Sequence, residues 1–340
     1  MAKKNLSVRK SATPKFTVGI DLGGTKVATA LVDEAGNIHK ETRRPTVPAD
    51  YIRDLTPSPS QVKNHTQYVM SAIAEAVLEV TQGVKLSQVR AVGLASAGPL
   101  NTLKGTLNHP ANFPGWKIVP IVKLLKAELI AHGLNRPLYF QNDAIAAALG
   151  EGWIGKTANC STYAMITLGT GIGTGVILNG QPAQSRGMGA EWGHLIVQAP
   201  QIQDAQNELY ERTVEGLASG TGLFQRACAR GFQGANTAEL ATAARKGDAV
   251  ALRTFIEASE ALAALFFNLS LGFHPEKFVV TGGMLPIRDL FLPQAISLYR
   301  DLIKKQGPEF LAPILISKLG NSAGVIGAAR LSHLKSENKF

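Results

Sequence analysis

The feature that most narrows the fold is a pattern that begins twice. An apolar run over 16–20 breaks at Asp21-Leu22-Gly23-Gly24-Thr25-Lys26, a second run over 27–32 follows, and Asp33-Glu34-Ala35-Gly36-Asn37 closes it. Strand, glycine turn, strand and tight turn is the signature of a β-hairpin. The same order restarts over 164–168, breaks at Gly169-Thr170-Gly171-Ile172-Gly173-Thr174-Gly175, resumes over 176–178 and closes at Asn179-Gly180. A shift of 146 residues lays Ile20-Asp21-Leu22-Gly23 over Ile166-Thr167-Leu168-Gly169. Two copies of one unit point to a duplicated α/β fold with a cleft between two lobes. A length of 340 residues has room for two domains with sizeable cores.

Other elements alternate around these hairpins. The Pro- and Ser-rich residues 45–60 read as a loop, and apolar spacing through Val69, Ile73, Ala76, Val77 and Val80 predicts a helix over 61–82. A strand over 89–95 ends in Ser96-Ala97-Gly98-Pro99. A helix is expected over 117–132, and a short strand over 138–140 meets Gln141-Asn142-Asp143. Asp143 is placed to cap a helix running through Ala148. The second half is helix-rich, with helices expected over 215–230, 237–246 and 248–272. A buried-type strand over 278–280 ends in Thr281-Gly282-Gly283, and a strand over 314–317 and a helix over 324–333 complete the pattern.

Composition removes several classes of function. Hydrophobic residues at 45% and charged residues at 18% describe a globular chain rather than a disordered one. Two cysteines, Cys160 and Cys228, are too few for a disulfide framework or a Cys-rich zinc site. The longest apolar-leaning stretch, 261–273, carries Asn268 and Ser270 and falls short of the roughly 20 residues of a membrane span. MAKKNLSVRK has no apolar segment of the secretory type, so the expected address is the cytoplasm and no membrane partner is expected. The net charge is +10, but Lys3, Lys4, Arg9, Lys10 and Lys15 supply half of it. Residues 1–15 are therefore expected to be a disordered, solvated basic tail. The body that remains is too weakly basic for nucleic acid to be an expected partner.

Three glycine-rich turns, 21–26, 169–175 and 281–283, each follow an apolar strand. Glycine lets backbone N–H groups approach a phosphate closely, and it equally serves an ordinary hairpin turn. The run at 169–175 leads into a strand, so it is not a dinucleotide fingerprint, and neither a P-loop nor a Gly-x-Ser-x-Gly elbow occurs. Strand-end turns spread over both halves fit a nucleotide held between lobes. Asp143 admits two roles, helix cap or acceptor of a sugar hydroxyl's proton during phosphoryl transfer. Glu191-x-Gly-His194 follows Gly187-Met188-Gly189-Ala190, a segment suited to polar ligand contacts.

In order and together, Asp21-Leu22-Gly23-Gly24-Thr25-Lys26, Leu168-Gly169-Thr170-Gly171-Ile172-Gly173, Glu191-x-Gly-His194 and Leu217-Ala218-Ser219-Gly220 resemble one known family. It is the repressor/open reading frame/kinase (ROK) family of sugar kinases, within the actin-like ATPase superfamily. The likeness runs over about 16–330. It implies a two-lobed, duplicated fold of the ribonuclease H-like type. Its small lobe would span 16–142, completed by a C-terminal helix over 324–334, and its large lobe 143–323. The implied activity is that of an ATP- and Mg2+-dependent hexose kinase, glucokinase-like, acting on the 6-hydroxyl of glucose. N-acetylglucosamine, mannose or fructose as acceptor, polyphosphate as donor, and a non-catalytic sugar sensor are the alternatives. A homodimer is the implied assembly.

By position, Asp21, Gly23, Gly24, Thr25 and Lys26 correspond to the family's first phosphate-binding turn, with Asp21 near Mg2+ through water. Gly169, Thr170 and Gly171 correspond to the second, and Gly282 and Gly283 to the adenosine-side turn. Ala97, Gly98, Asn112, Asn142, Glu191, His194 and Glu215 match sugar-contact positions, and Asp143 matches the catalytic base against the sugar. Two departures stand out. The Cys-rich zinc loop common after Glu-x-Gly-His is missing, since 195–214 contains no cysteine, so no zinc site is expected. That segment reads instead as a helix with a polar face, Leu209 and Val214 turned inward. A first strand near residue 16 also leaves no room for the winged helix-turn-helix of the family's repressors.

Overall fold

The computed structural model describes residues 16–48, 57–189, 191–198 and 209–337. The expected tail and part of the 45–60 loop lie outside the described residues. The first hairpin forms as its sequence predicts, β1 (Phe16–Leu22) pairing antiparallel with β2 (Lys26–Asp33). A strand the sequence did not announce, β3 (Ile38–Pro45), joins β2; its polar run IHKETRRP lacks the apolar stretch that marks a buried strand. α1 (Pro59–Thr81) begins at a capping box between Ser58 and Gln61, and β4 (Val89–Ser96) returns parallel to β1. A small sheet follows, made of β5 (Leu100–Asn101), β6 (Thr106–Asn108) and β7 (Ile118–Val119). Its last strand takes the start of the helix expected over 117–132. Pro120 biases Val119 to extended backbone, so α2 (Ile121–Ala131) begins only after it. β8 (Leu138–Asn142) then pairs parallel to β4, and α3 (Asp143–Ile154) leaves it directly.

β9 (Tyr163–Leu168) and β10 (Ile172–Leu178) form the second hairpin, extended by β11 (Gln181–Pro182). Its turn is shorter than the glycine run predicts, because Gly173 and Gly175 lie within β10. They make room for α3: a Cβ at Gly173 would stand 3.0 Å from Ala144 Cβ, and one at Gly175 2.7 Å from Ala148 Cβ. The helix expected over 215–230 is two, α4 (Val214–Ala218) and α5 (Gly220–Ala229). Extended Ser219 separates them and caps α5 by accepting from Gly222 N–H. Then come α6 (Thr237–Arg245), α7 (Ala249–Phe273), β12 (Lys277–Thr281), α8 (Leu292–Gln306), β13 (Ile314–Ile316) and α9 (Ala323–Glu337).

The two five-stranded sheets share one design. Their orders are β3-β2-β1-β4-β8 and β11-β10-β9-β12-β13, each with two antiparallel pairings followed by two parallel ones. The sequence repeat is therefore a repeat of a whole sheet. Ile20 and Leu94 of the first sheet are buried with Ile73 of α1 and Leu125 of α2, and Ile166 and Val280 of the second with Phe266 of α7 and Tyr299 of α8. Alternation along the strands gives the opposite faces to α9, which packs on β1 and β4, and to α3, which packs on α9 and β10. A Cβ at Gly327 would overlap the Ala146 carbonyl, so glycine is what lets α9 and α3 meet backbone to backbone.

Candidate active site

Parallel strands deliver their carboxyl ends together. In the first sheet Leu22 aligns with Ser96, and Ser96 with Asn142, so Gly23, Ala97 and Asp143 leave the strands at one level. In the second sheet Thr167 aligns with Thr281, and Val280 with Ile316. Such ends are where open α/β sheets take their ligands. A cavity of about 300 Å³ lies there, lined among others by Asp21, Gly23, Thr25, Lys26, Arg43, Asp143, Thr167, Thr281, Gly282, Asn321 and Gly324.

Two carboxyl groups face this cavity. Burial first, and then the negative charge of Asp143, push Asp21 up to about 7 against the opposing charges of Lys26 and Arg43. Burial likewise holds Asp143 above the usual carboxylate range, partly opposed by Ala144 N–H, which donates to its Oδ1 at 2.8 Å. The cap expected of Asp143 is supplied by its neighbour. Asn142 Oδ1 accepts from Ala144 N–H at 3.0 Å and Ile145 N–H at 3.1 Å, because the residue before the first helical turn is the one with extended backbone.

A second group of predicted residues gathers beside Asp143. A Cβ at Gly98 would lie 3.1 Å from Glu191 Oε1 and 3.7 Å from Asn142 Nδ2. Burial raises the Glu191 carboxyl; the neighbouring His194 opposes that shift, while Asp143 and Glu215 add to it. The turn from Glu191 to His194 is seated on β10, where Trp192 N–H donates to Thr174 Oγ1 at 3.0 Å. Glu215, in the first turn of α4, accepts Ile172 N–H at 2.7 Å. Asn112 rests against the first glycine turn, since a Cβ at Gly24 would stand 2.7 Å from Asn112 Cβ. Ala97 follows the end of β4, beside Ser96, whose hydroxyl donates to Leu22 O at 3.4 Å.

Not every predicted residue reaches the cavity. Gly24, Gly169, Thr170, Gly171 and Gly283 are not among its lining residues. The second turn is closed by Gly169 N–H donating to Gly171 O at 3.0 Å and tied to α5 by Gly220 N–H donating to Gly169 O at 2.8 Å. Gly282, at φ +112°, presses on the Leu168 backbone, so the third turn abuts the second while lining the cavity.

Conversely, Arg43, Thr167, Thr281 and Asn321 line the cavity without having been singled out. One of these had a signal in the sequence: Thr167 is the counterpart of Asp21 in the repeat, whereas Arg43 comes into line with Asp21 only through the pairing of Asp21, Ala28 and Arg43 across β1, β2 and β3.

Residues 199–208 of the segment read as a polar helix lie outside the described residues. Beyond them Leu209 is 45% exposed rather than turned inward, because 210–212 is a short 3-10 turn without the periodicity of the expected helix, whereas Val214 is buried. Among the described residues no three His, Cys, Asp or Glu side chains are grouped to hold a metal ion. No helix of the described residues is long and apolar enough to cross a membrane.

The ROK family model matches residues 17–335. A glucokinase from Thermotoga maritima is 29% identical over 334 residues, covering 92% of this chain and 96% of that protein. Among solved structures, a ROK hexokinase from Thermus thermophilus has a TM-score of 0.78 at 28% identity, covering 95% of this chain and 99% of that one. A ROK family glucokinase from Streptomyces griseus, in complex with glucose and AMPPNP, has a TM-score of 0.69 at 28% identity, covering 94% and 99%. With the duplicated sheets and a match over nearly its whole length, this chain belongs to the ROK family and has the two-lobed actin-like fold of its sugar kinases.

Proposed function

We propose that this chain is an ATP-dependent hexose kinase that phosphorylates the 6-hydroxyl of glucose. The observation that carries the proposal is the place of Asp143. It lines the cavity of the first glycine turn and stands within electrostatic reach of Glu191 on the other side, with its proton affinity raised by burial. A carboxylate so placed suits a general base. The relatives named above, a glucokinase and a glucokinase bound to glucose and AMPPNP, favour glucose and ATP as the substrates.

The donor phosphates would lie against the first glycine turn, residues 23–26, with Lys26 and Arg43 offering positive charge. The hexose would sit against Gly98, Asn112, Asn142, Glu191, His194 and Glu215. Its O6 attacks the γ-phosphorus in line, the bond from that phosphorus to the β–γ bridging oxygen breaks and ADP leaves, while Asp143 takes the O6 proton; positioning supplies much of the acceleration. Asp21 is a hard oxygen donor whose raised proton affinity a cation would relieve, so it fits Mg2+ held through water. When bound, Mg2+ supplies positive charge that offsets the donor phosphates. Residues 16–142 with 324–334, and 143–323, would be the two lobes, closing on the sugar to exclude water; the packing of α9 on β1 and β4 supports that division.

The test is a panel of hexoses and donors at fixed Mg2+, read by ADP release and sugar phosphate formed. Glucose with ATP should give the highest kcat/KM. A higher value with N-acetylglucosamine, mannose, fructose or polyphosphate would reassign the substrate, and binding without any transfer would mark a sugar sensor.

A further inference from the structure

We propose that Thr46 and His65 form a strut that fixes the donor turn, 23–26, relative to the acceptor loop that carries Asn112. Both are positioning residues, and their role rests on the hexose-kinase function proposed above. Thr46 is fully buried just after β3 and grips the turn twice. Its N–H donates to Thr25 O at 3.0 Å, and its hydroxyl donates to Gly23 O at 3.2 Å. Its own carbonyl accepts from Nε2 of His65, a buried residue of α1, at 2.8 Å. A carbonyl can only accept, so Nε2 carries the proton of this contact, and burial pushes the ring below its ordinary pKa.

The other side of that imidazole holds the acceptor loop. The ring centroids of Phe113 and Trp116 lie 6.0 and 5.8 Å from that of His65, and the two rings stack at 4.4 Å. Gly115, at φ +78°, brings the loop onto the same helix, where a Cβ would stand 2.7 Å from Val62 Cγ2. Asn112, next to Phe113, touches Gly24 directly and completes a ring of contacts through Gly23, Thr46, His65 and Phe113. The ring meets the substrates only at its two ends, the glycine turn and Asn112. What it sets is the distance between them. In-line transfer is sensitive to that distance, a misplacement of about 1 Å costing on the order of 10²-fold.

The test uses three variants of the full chain. His65→Leu fills the space without a donor, His65→Gln returns an N–H near the Nε2 position, and Thr46→Val removes only the hydroxyl. For His65→Leu, kcat with ATP and glucose should fall about tenfold to a hundredfold, while Kd for glucose alone and for ADP alone each stay within about threefold. His65→Gln should recover most of the loss, and Thr46→Val should fall less. A kcat within about twofold of the unaltered chain, a loss Gln does not recover, or an equal loss of binary affinity would overturn the strut.

If the unaltered chain transfers phosphate to no sugar, the hexose-kinase proposal fails and hydrogen exchange still reads the strut. His65→Leu should quicken exchange over 22–28 and over 110–117 together and leave 163–171 unchanged. Both segments unchanged, or all three quickened alike, would contradict it. Should His65→Leu not fold, Thr46→Val is read by the same two measures.

Discussion

At the end of β1 the chain presents Asp21 and then Gly23, Thr25 and Lys26 to the cavity. At the equivalent end of β9 it presents Thr167 and then closes 169–171 against α5. The glycines of the two turns answer to different neighbours. In the first, Gly24 leaves room for Asn112. In the second, a Cβ at Gly171 would stand 2.6 Å from Glu215 Oε2, the oxygen that takes Ile172 N–H, while Gly173 and Gly175 admit α3. Duplication thus provided two carboxyl-end turns on matching sheets, but charge at the first position of only one of them. Asp21 carries a titratable group with a pKa of about 7; Thr167 spends its hydroxyl on Gly173 N–H at 3.1 Å.

Exchanging these roles should produce unequal losses. Asp21→Asn is expected to lower kcat/KM for ATP by about 10²–10³, and Thr167→Val by less than about tenfold. Equal losses would erase the asymmetry. The same variant tests the titration. Asp21 binds its proton more tightly in the folded chain, at about 7, than at the ordinary value of 3.8. Its contribution to stability is full below about 4 and is lost as pH rises to about 7. A plot of Tm against pH should therefore fall less steeply over that window in Asp21→Asn; an unchanged slope would assign the titration elsewhere.

Arg43 extends the charged side of the comparison. Arg43→Gln should raise KM for ATP about tenfold with KM for glucose unaltered, and Arg43→Lys should recover part of it. A shift in the glucose constant instead would remove Arg43 from the donor side. The smallest expected effect on catalysis belongs to the second hairpin. Gly175→Ala should cost about 1–3 kcal/mol of stability by overpacking α3, while the folded variant keeps its kcat. A loss of kcat at unchanged stability would return Gly175 to the phosphate site.

Much of this was legible in sequence because the repeat fixes strand order and brings the strand-end glycines to one side. Asp21, Lys26, Asp143 and Gly282 do meet at one cavity. What the sequence hid depends on contacts between distant segments. Gly173 and Gly175 look like ligand glycines until α3 is laid across β10. Arg43 sits in a polar edge strand that no apolar period reveals, so its place in line with Asp21 emerges only from pairing. The cap of α3 lies one residue before the position expected from sequence, since Asn142 and Asp143 are both good caps and only the backbone at Asn142, φ −63° and ψ 144°, distinguishes them.

The most direct measurement compares the unaltered chain with Asp143→Asn, following phosphate transfer from ATP to glucose O6 alongside the Kd for glucose. If Asp143 is the base where the two sides of the site meet, kcat should fall by about 10²–10⁴ while glucose affinity stays within about threefold. An Asp143→Asn enzyme that keeps more than about a tenth of kcat would contradict that role and leave Asp143 a residue of the first turn of α3 and nothing more.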